Sequence, residues 1–202
     1  MSLKTKVKVG NITNLSDARY CAGMGASWLG FPMNEGNGSL LSPEKFMDIT
    51  GWVSGPEFVL EAEQINLNEL YSAIQGYPAQ YIQLNVSQLE LFNPSFIPGL
   101  MVSIDIHEWQ SVRDKIMKDK EMISYLLIRN EREGNPNDME ALIAEMTECC
   151  PVLLGFGIVP EKLTDILQLP IEGIAINGSQ EEKPGMKDYH QLAEILELLD
   201  TD

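Results

Sequence analysis

The stretch Lys6-Val7-Lys8-Val9-Gly10-Asn11-Ile12-Thr13-Asn14-Leu15-Ser16-Asp17-Ala18, followed shortly by Trp28-Leu29-Gly30-Phe31, decides the fold. Lys6–Val9 reads as a strand, and Asn14 or Ser16 is placed to accept from the first free amides of a helix that carries Cys21. Trp28–Phe31 is strand-like again. Two strands joined through a helix run parallel, because a hairpin turn is too short to contain one. The turn between strand and helix lacks a Gly-x-Gly-x-x-Gly fingerprint, so the other architecture built on this alternation, a doubly wound open sheet around a dinucleotide, finds no support.

The alternation continues to the end of the chain. Further strands are expected near Glu57–Glu61, Tyr81–Asn85, Leu100–Ile104, Ile123–Ile128, Val152–Gly155 and Gly173–Ile176. Ser42-Pro43-Glu44 opens one intervening helix, Asn66 or Asn68 precedes another, and Pro160-Glu161 opens a later one. The last runs through Leu192, Ile195, Leu196 and Leu199 at helical spacing. Val86–Phe92 is too short for a full helix, and the polar loop Asn130–Asn137 reads as an excursion after the sixth strand. Eight strands alternating with helices predict an α/β fold, a single (β/α)8 TIM barrel over residues 1–202, with Met1-Ser2-Leu3 read as an appended start.

Composition sets the outer limits. A 202-residue chain that is 44% hydrophobic buries a full core as one domain. No apolar run approaches the roughly 20 residues that cross a bilayer, and a cytoplasmic location is expected. A net charge of −16 repels nucleic-acid backbones and anionic membrane surfaces, so neither is an expected partner. Cys21, Cys149 and Cys150 have no metal-ligand spacing and read as reduced thiols, with Cys21 packed in a core. His107 and His190 stand apart from any second ligand, so no metal and no cofactor are expected.

The opening segment, with Gly25-Ala26-Ser27-Trp28-Leu29-Gly30-Phe31 after it, resembles the phosphoribosylanthranilate isomerase family. That family's start runs roughly Lys-x-Cys-Gly-Ile-Thr-x-x-x-Asp-Ala, then Gly-Ala-x-x-x-Gly-Phe. Gly157-Ile158-Val159-Pro160-Glu161 and Pro184-Gly185-Met186-Lys187-Asp188 extend the likeness toward the other end. The resemblance implies a cysteine base on the first strand and an aspartic acid at the end of the sixth. Gly10 stands at the first position and Arg129 at the second. Glycine has no titrating group, and a permanently charged guanidinium is no general acid. At two further mouth positions, Ser39 or a neighbour stands where the family has an arginine, and Asn85 falls where it has a histidine. Asn11 stands where it has glycine.

These departures imply a barrel that binds a phosphorylated, phosphoribosyl-type small molecule at its C-terminal face without normal isomerase activity. A working isomerase with replacement acid and base, and a non-catalytic interaction scaffold, are the alternatives. Phosphate in barrels commonly meets the loops after strands seven and eight, which here supply Gly155, Gly157, Asn177 and Gly178. Phe156, between the first two, replaces a glycine of the family. Glu61 and Asp105 end strands three and five, so they are the candidate replacement carboxylates or the ion-pair partners of Arg129.

Overall fold

The computed structural model describes residues 2–33, 41–66, 69–93, 95, 99–132, 134, 138–178, 181–183, 186–187 and 190–201. Eight parallel strands close a barrel in sequence order: β1 Lys6–Gly10, β2 Trp28–Pro32, β3 Glu57–Glu61, β4 Tyr81–Asn85, β5 Gly99–Asp105, β6 Tyr125–Arg129, β7 Val152–Leu154 and β8 Gly173–Asn177. Closure comes from β1 against β8, whose register runs from Lys6 opposite Gly173 to Gly10 opposite Asn177. A closed barrel leaves no strand edge open, and it fixes which residues face the lumen.

Outward-facing strand residues pack under the helices. These are α1 Leu15–Gly23, α2 Pro43–Thr50, α3 Leu70–Ala73, α4 Trp109–Asp119, α5 Met139–Thr147, α6 Leu163–Ile166 and α7 His190–Leu199. Asn14 caps α1 by accepting from the Asp17 amide at 2.9 Å, and Ser42 caps α2 ahead of Pro43. Under α2, the rings of Phe31, Phe46, Phe58 and Tyr77 meet edge to face, with centroids 4.8 to 6.0 Å apart. Among the described residues between β4 and β5 the one helical element is a 3-10 turn, Val86–Leu91, in line with the short apolar segment. The expected seventh-position helix is reduced to a 3-10 turn at Pro160–Lys162 and the four-residue α6. A small antiparallel pair, β9 Glu181–Lys183 and β10 Met186–Lys187, follows β8. Ser39, Asn68 and residues 133 and 135–137 of the polar loop lie outside the described residues.

Inside the barrel the layers differ in chemistry. At the N-terminal end Trp28, Tyr81 and Tyr125 stack against one another, and the Lys6 ammonium lies 5.8 Å from the Trp28 and Tyr125 ring centroids while pairing with Glu172 at 2.5 Å. Val59, Met101, Leu127, Leu153 and Ala175 fill the middle together with two polar side chains, Lys8 and Gln83. Among the described residues no helix is long and apolar enough to cross a membrane.

Candidate active site at the barrel mouth

Strand alternation sends Lys8 and Gly10 of β1, Gly30 of β2, and Glu61 of β3 toward the lumen. An ammonium in this interior needs a compensating charge, and Glu61 provides it. One carboxylate oxygen accepts from Lys8 Nζ, and the other accepts from the Asn11 amide at 3.0 Å. Asn11 reaches this position by adopting a left-handed backbone, φ +57°, which asparagine tolerates better than most residues. The pair is well shielded: the Lys8 side chain is 3% exposed and that of Glu61 14%. Burial pushes the Glu61 carboxyl up, but the Lys8 charge, its hydrogen bond, the Asn11 amide and the Arg129 charge outweigh it. The net result is a carboxyl below its ordinary range.

The glycines make room for this pair. A Cβ on Gly10 would lie 2.5 Å from Glu61 Oε1, 3.0 Å from Asn177 Oδ1 and 3.2 Å from Lys8 Nζ. A Cβ on Gly30 would collide with the same carboxylate and ammonium. The space that a first-strand side chain would enter is therefore filled from β3. Gly10→Cys should destabilise the protein by about 1–3 kcal/mol, the usual cost of forcing extra atoms into packed space. A urea titration of the variant beside the parent checks this, and an unchanged midpoint would mean that Glu61 moves aside freely.

Arg129, at the end of β6, has a carboxylate partner as expected, but the partner is Glu63, at 2.8 Å, and neither Asp105 nor Glu61. Asp105 is engaged locally, accepting from the His107 amide at 2.7 Å and the Glu131 amide at 2.8 Å, which turns the chain after β5 and holds the loop after β6. Glu61 is engaged by Lys8. Glu63, two residues past β3, also accepts from the Ser103 hydroxyl, and its carbonyl accepts from the Asn85 side-chain amide at 3.0 Å. Asn85 is therefore a support for the β3 loop and caps the following 3-10 turn.

A cavity of about 710 Å³ opens over β6, β7, β8 and β1, with Lys8, Leu127 and Ala175 in its wall inside the barrel and Phe156, Ile158 and Ile195 among its apolar lining. Gly155, Gly157, Asn177 and Gly178 all line it, as does Arg129. The amides of two of these glycines are already committed: Gly155 donates to the Ile128 carbonyl at 2.8 Å and Gly178 to the Gly10 carbonyl at 2.7 Å. Their glycine character serves close packing, since a Cβ on Gly155 would come 2.9 Å from the Ile128 carbonyl oxygen. Gly157, exposed and at φ +67°, is the loop residue whose backbone requires glycine. Phe156 packs partly against the core and leaves the cavity open.

Three polar groups carry no role in the sequence reading: Glu63 at the mouth, and Lys8 and Gln83 below it. The available signal was strand parity, since Lys8 shares its face with Gly10, and Gln83 lies opposite Glu61 in the β3 and β4 register. The thiols offer no alternative base. Burial raises Cys149, and burial with the neighbouring Cys149 pushes Cys150 up to about 11. Cys21 is buried in α1 beneath the outer layer.

No family model matches the chain, and no curated protein does. Solved structures do. The phosphoribosylanthranilate isomerase of Thermus thermophilus superposes with a TM-score of 0.72 at 22% identity over 96% of this chain and 98% of that one. The enzyme of Thermotoga maritima gives 0.76 at 16% identity over the same shares. A phosphoribosylanthranilate isomerase in complex with reduced 1-(o-carboxyphenylamino)-1-deoxyribulose 5-phosphate gives 0.74 at 17%, again over 96% and 98%. The fold of this chain is thus the closed eight-stranded barrel of the phosphoribosylanthranilate isomerase structures.

Proposed function

We propose that this barrel binds a phosphorylated small molecule of the phosphoribosyl type in the cavity over β6–β8, and does so without the ordinary isomerisation of phosphoribosylanthranilate. The carrying observation is the cavity wall itself, which combines the left-handed turn at Gly157 with the Lys8 and Arg129 cations in about 710 Å³. That volume suits a sugar phosphate. The neighbouring structure that holds a deoxyribulose 5-phosphate derivative supports a phosphorylated ligand by analogy of fold. Cysteines that form no disulfide fit a cytoplasmic setting.

Catalysis of the family's reaction is the part this reading gives up. Glu61 and Lys8 fill the space at Gly10, and Arg129 is held by Glu63 where the family resemblance implies an acid. The experiment is a titration of inorganic phosphate and of ribose 5-phosphate against the amide NMR spectrum. The Gly157 amide and the Asn177 side chain should shift first, while the Gly155 and Gly178 amides, already bonded, shift less. Millimolar ligand that leaves Gly157 unmoved would remove the small-molecule reading in favour of a non-catalytic interaction scaffold.

A further inference from the structure

We propose that Cys149 and Met117 form a binding site for a soft monovalent metal ion of the copper(I) type, on the outside of the barrel between α4 and α5. The site shares no residue with the cavity over β6–β8, so it is independent of the function proposed there. Along α4, Arg113 and Met117 are one turn apart and lie on one face. Glu145 stands on α5, and Cys149 follows it by four residues in the turn that ends the helix, where its amide donates to the Met146 carbonyl at 3.0 Å. Arg113 pairs with Glu145 at 3.0 Å, which joins the two helices one turn away from the sulfurs. Cys149 Sγ then meets Met117 Sδ at 2.9 Å. The donors are 32 residues apart in the chain, so no ligand spacing in the sequence announces them.

The sulfur pair is open to an ion. Met117 is 40% exposed and Cys149 is half-buried. Cys149 also lines, with Thr147 and Cys150, a cleft of about 330 Å³. Cys150 is buried and brings a second thiol one residue away in the chain.

The donor set selects the ion. Thiolate and thioether sulfur are soft ligands that favour copper(I), whereas zinc takes three or four cysteine, histidine or carboxylate ligands. Among the described residues no three such side chains come together to hold a metal, so an ion of the zinc kind lacks its ligands here. A closed-shell monovalent ion is satisfied by two sulfurs. Burial is the chief reason that the Cys149 thiol is held above its ordinary range, so the free site is protonated. Binding exchanges that S–H proton for the ion: the sulfur donates the freed electron pair to the metal, the proton leaves to water, and neither partner changes oxidation state.

The test uses silver(I) as a redox-stable probe for copper(I), added to the whole reduced protein while the methionine methyl groups are followed by NMR. One equivalent of silver(I) should move the Met117 ε-methyl signal before that of any other methionine. Cys149→Ser should abolish this shift. Met117→Leu should weaken binding, measured by calorimetry, by at least the roughly 10-fold that losing a group which merely supports a metal ligand costs. Both side chains are partly exposed, so the variants keep the fold, and the methyl shift in the parent chain needs no variant at all. An unmoved Met117 methyl, a shift that persists in Cys149→Ser, or equal affinity in parent and Met117→Leu each overturns the assignment. The phosphate titration at Gly157 is decided separately from all of these outcomes.

Discussion

Purified protein given phosphoribosylanthranilate will turn it over at no more than a trace rate, below about 10⁻³ s⁻¹, where ordinary enzymes work near 10 s⁻¹. The reason is chemical. A positioned acid or base contributes about 10² to 10⁴ in rate, and the two positions where the family resemblance implies them hold Gly10 and Arg129. Glu61 stands near the first position as a carboxylate, but both its oxygens are engaged, by Lys8 and by the Asn11 amide. At the second position a guanidinium is no general acid, and it is tied to Glu63. The disappearance of phosphoribosylanthranilate in a continuous assay measures the outcome directly. A turnover near 1 s⁻¹ would show that groups elsewhere at the mouth supply both acid and base.

The barrel was legible because each strand and helix declared itself locally. Strand ends read from sequence fall within about two residues of those observed, and the caps at Asn14 and Ser42 follow from hydrogen bonds between near neighbours in the chain. The site was legible only as a place. Parity puts Glu61 and Arg129 at one mouth, yet which carboxylate meets Arg129 depends on where the β3 loop turns, and Glu63 lies beyond the strand. Asp105 differs from the expectation for a related reason: a carboxylate at a strand end also accepts from loop amides, and here one oxygen caps the turn after β5 while the other holds the loop after β6. Gly155 and Gly178 looked like anion cradles because glycine-rich turns serve both purposes, and only the ladder bonds show that their amides are committed. Lys8 is not legible as a buried group in the sequence, because a lysine in a strand ordinarily faces water and here it is buried only by the closure of the barrel around it.

That burial carries the second large expectation, on stability. Glu61→Ala or Lys8→Met alone should cost about 3–5 kcal/mol, because each leaves an uncompensated charge in the barrel interior. Joining Lys8→Met with Glu61→Gln removes both charges and should recover most of the loss, so the coupling in a double-mutant cycle will be large. The Arg129 and Glu63 pair should matter less. Its arginine side chain is 37% exposed and water replaces part of the lost contact. Acid makes a separate demand on Glu61. Its carboxyl is held below the ordinary range, so its stabilising share is complete above the unfolded value of about 4.3 and is lost as the pH falls through the lower folded value. The parent protein should therefore lose stability more steeply than the paired variant as the pH is lowered below about 4.3, as denaturant midpoints taken from pH 7 downward would show. Parallel pH curves would mean that Glu61 does not hold its charge in the fold, and single variants as stable as the parent would mean that water reaches the pair freely.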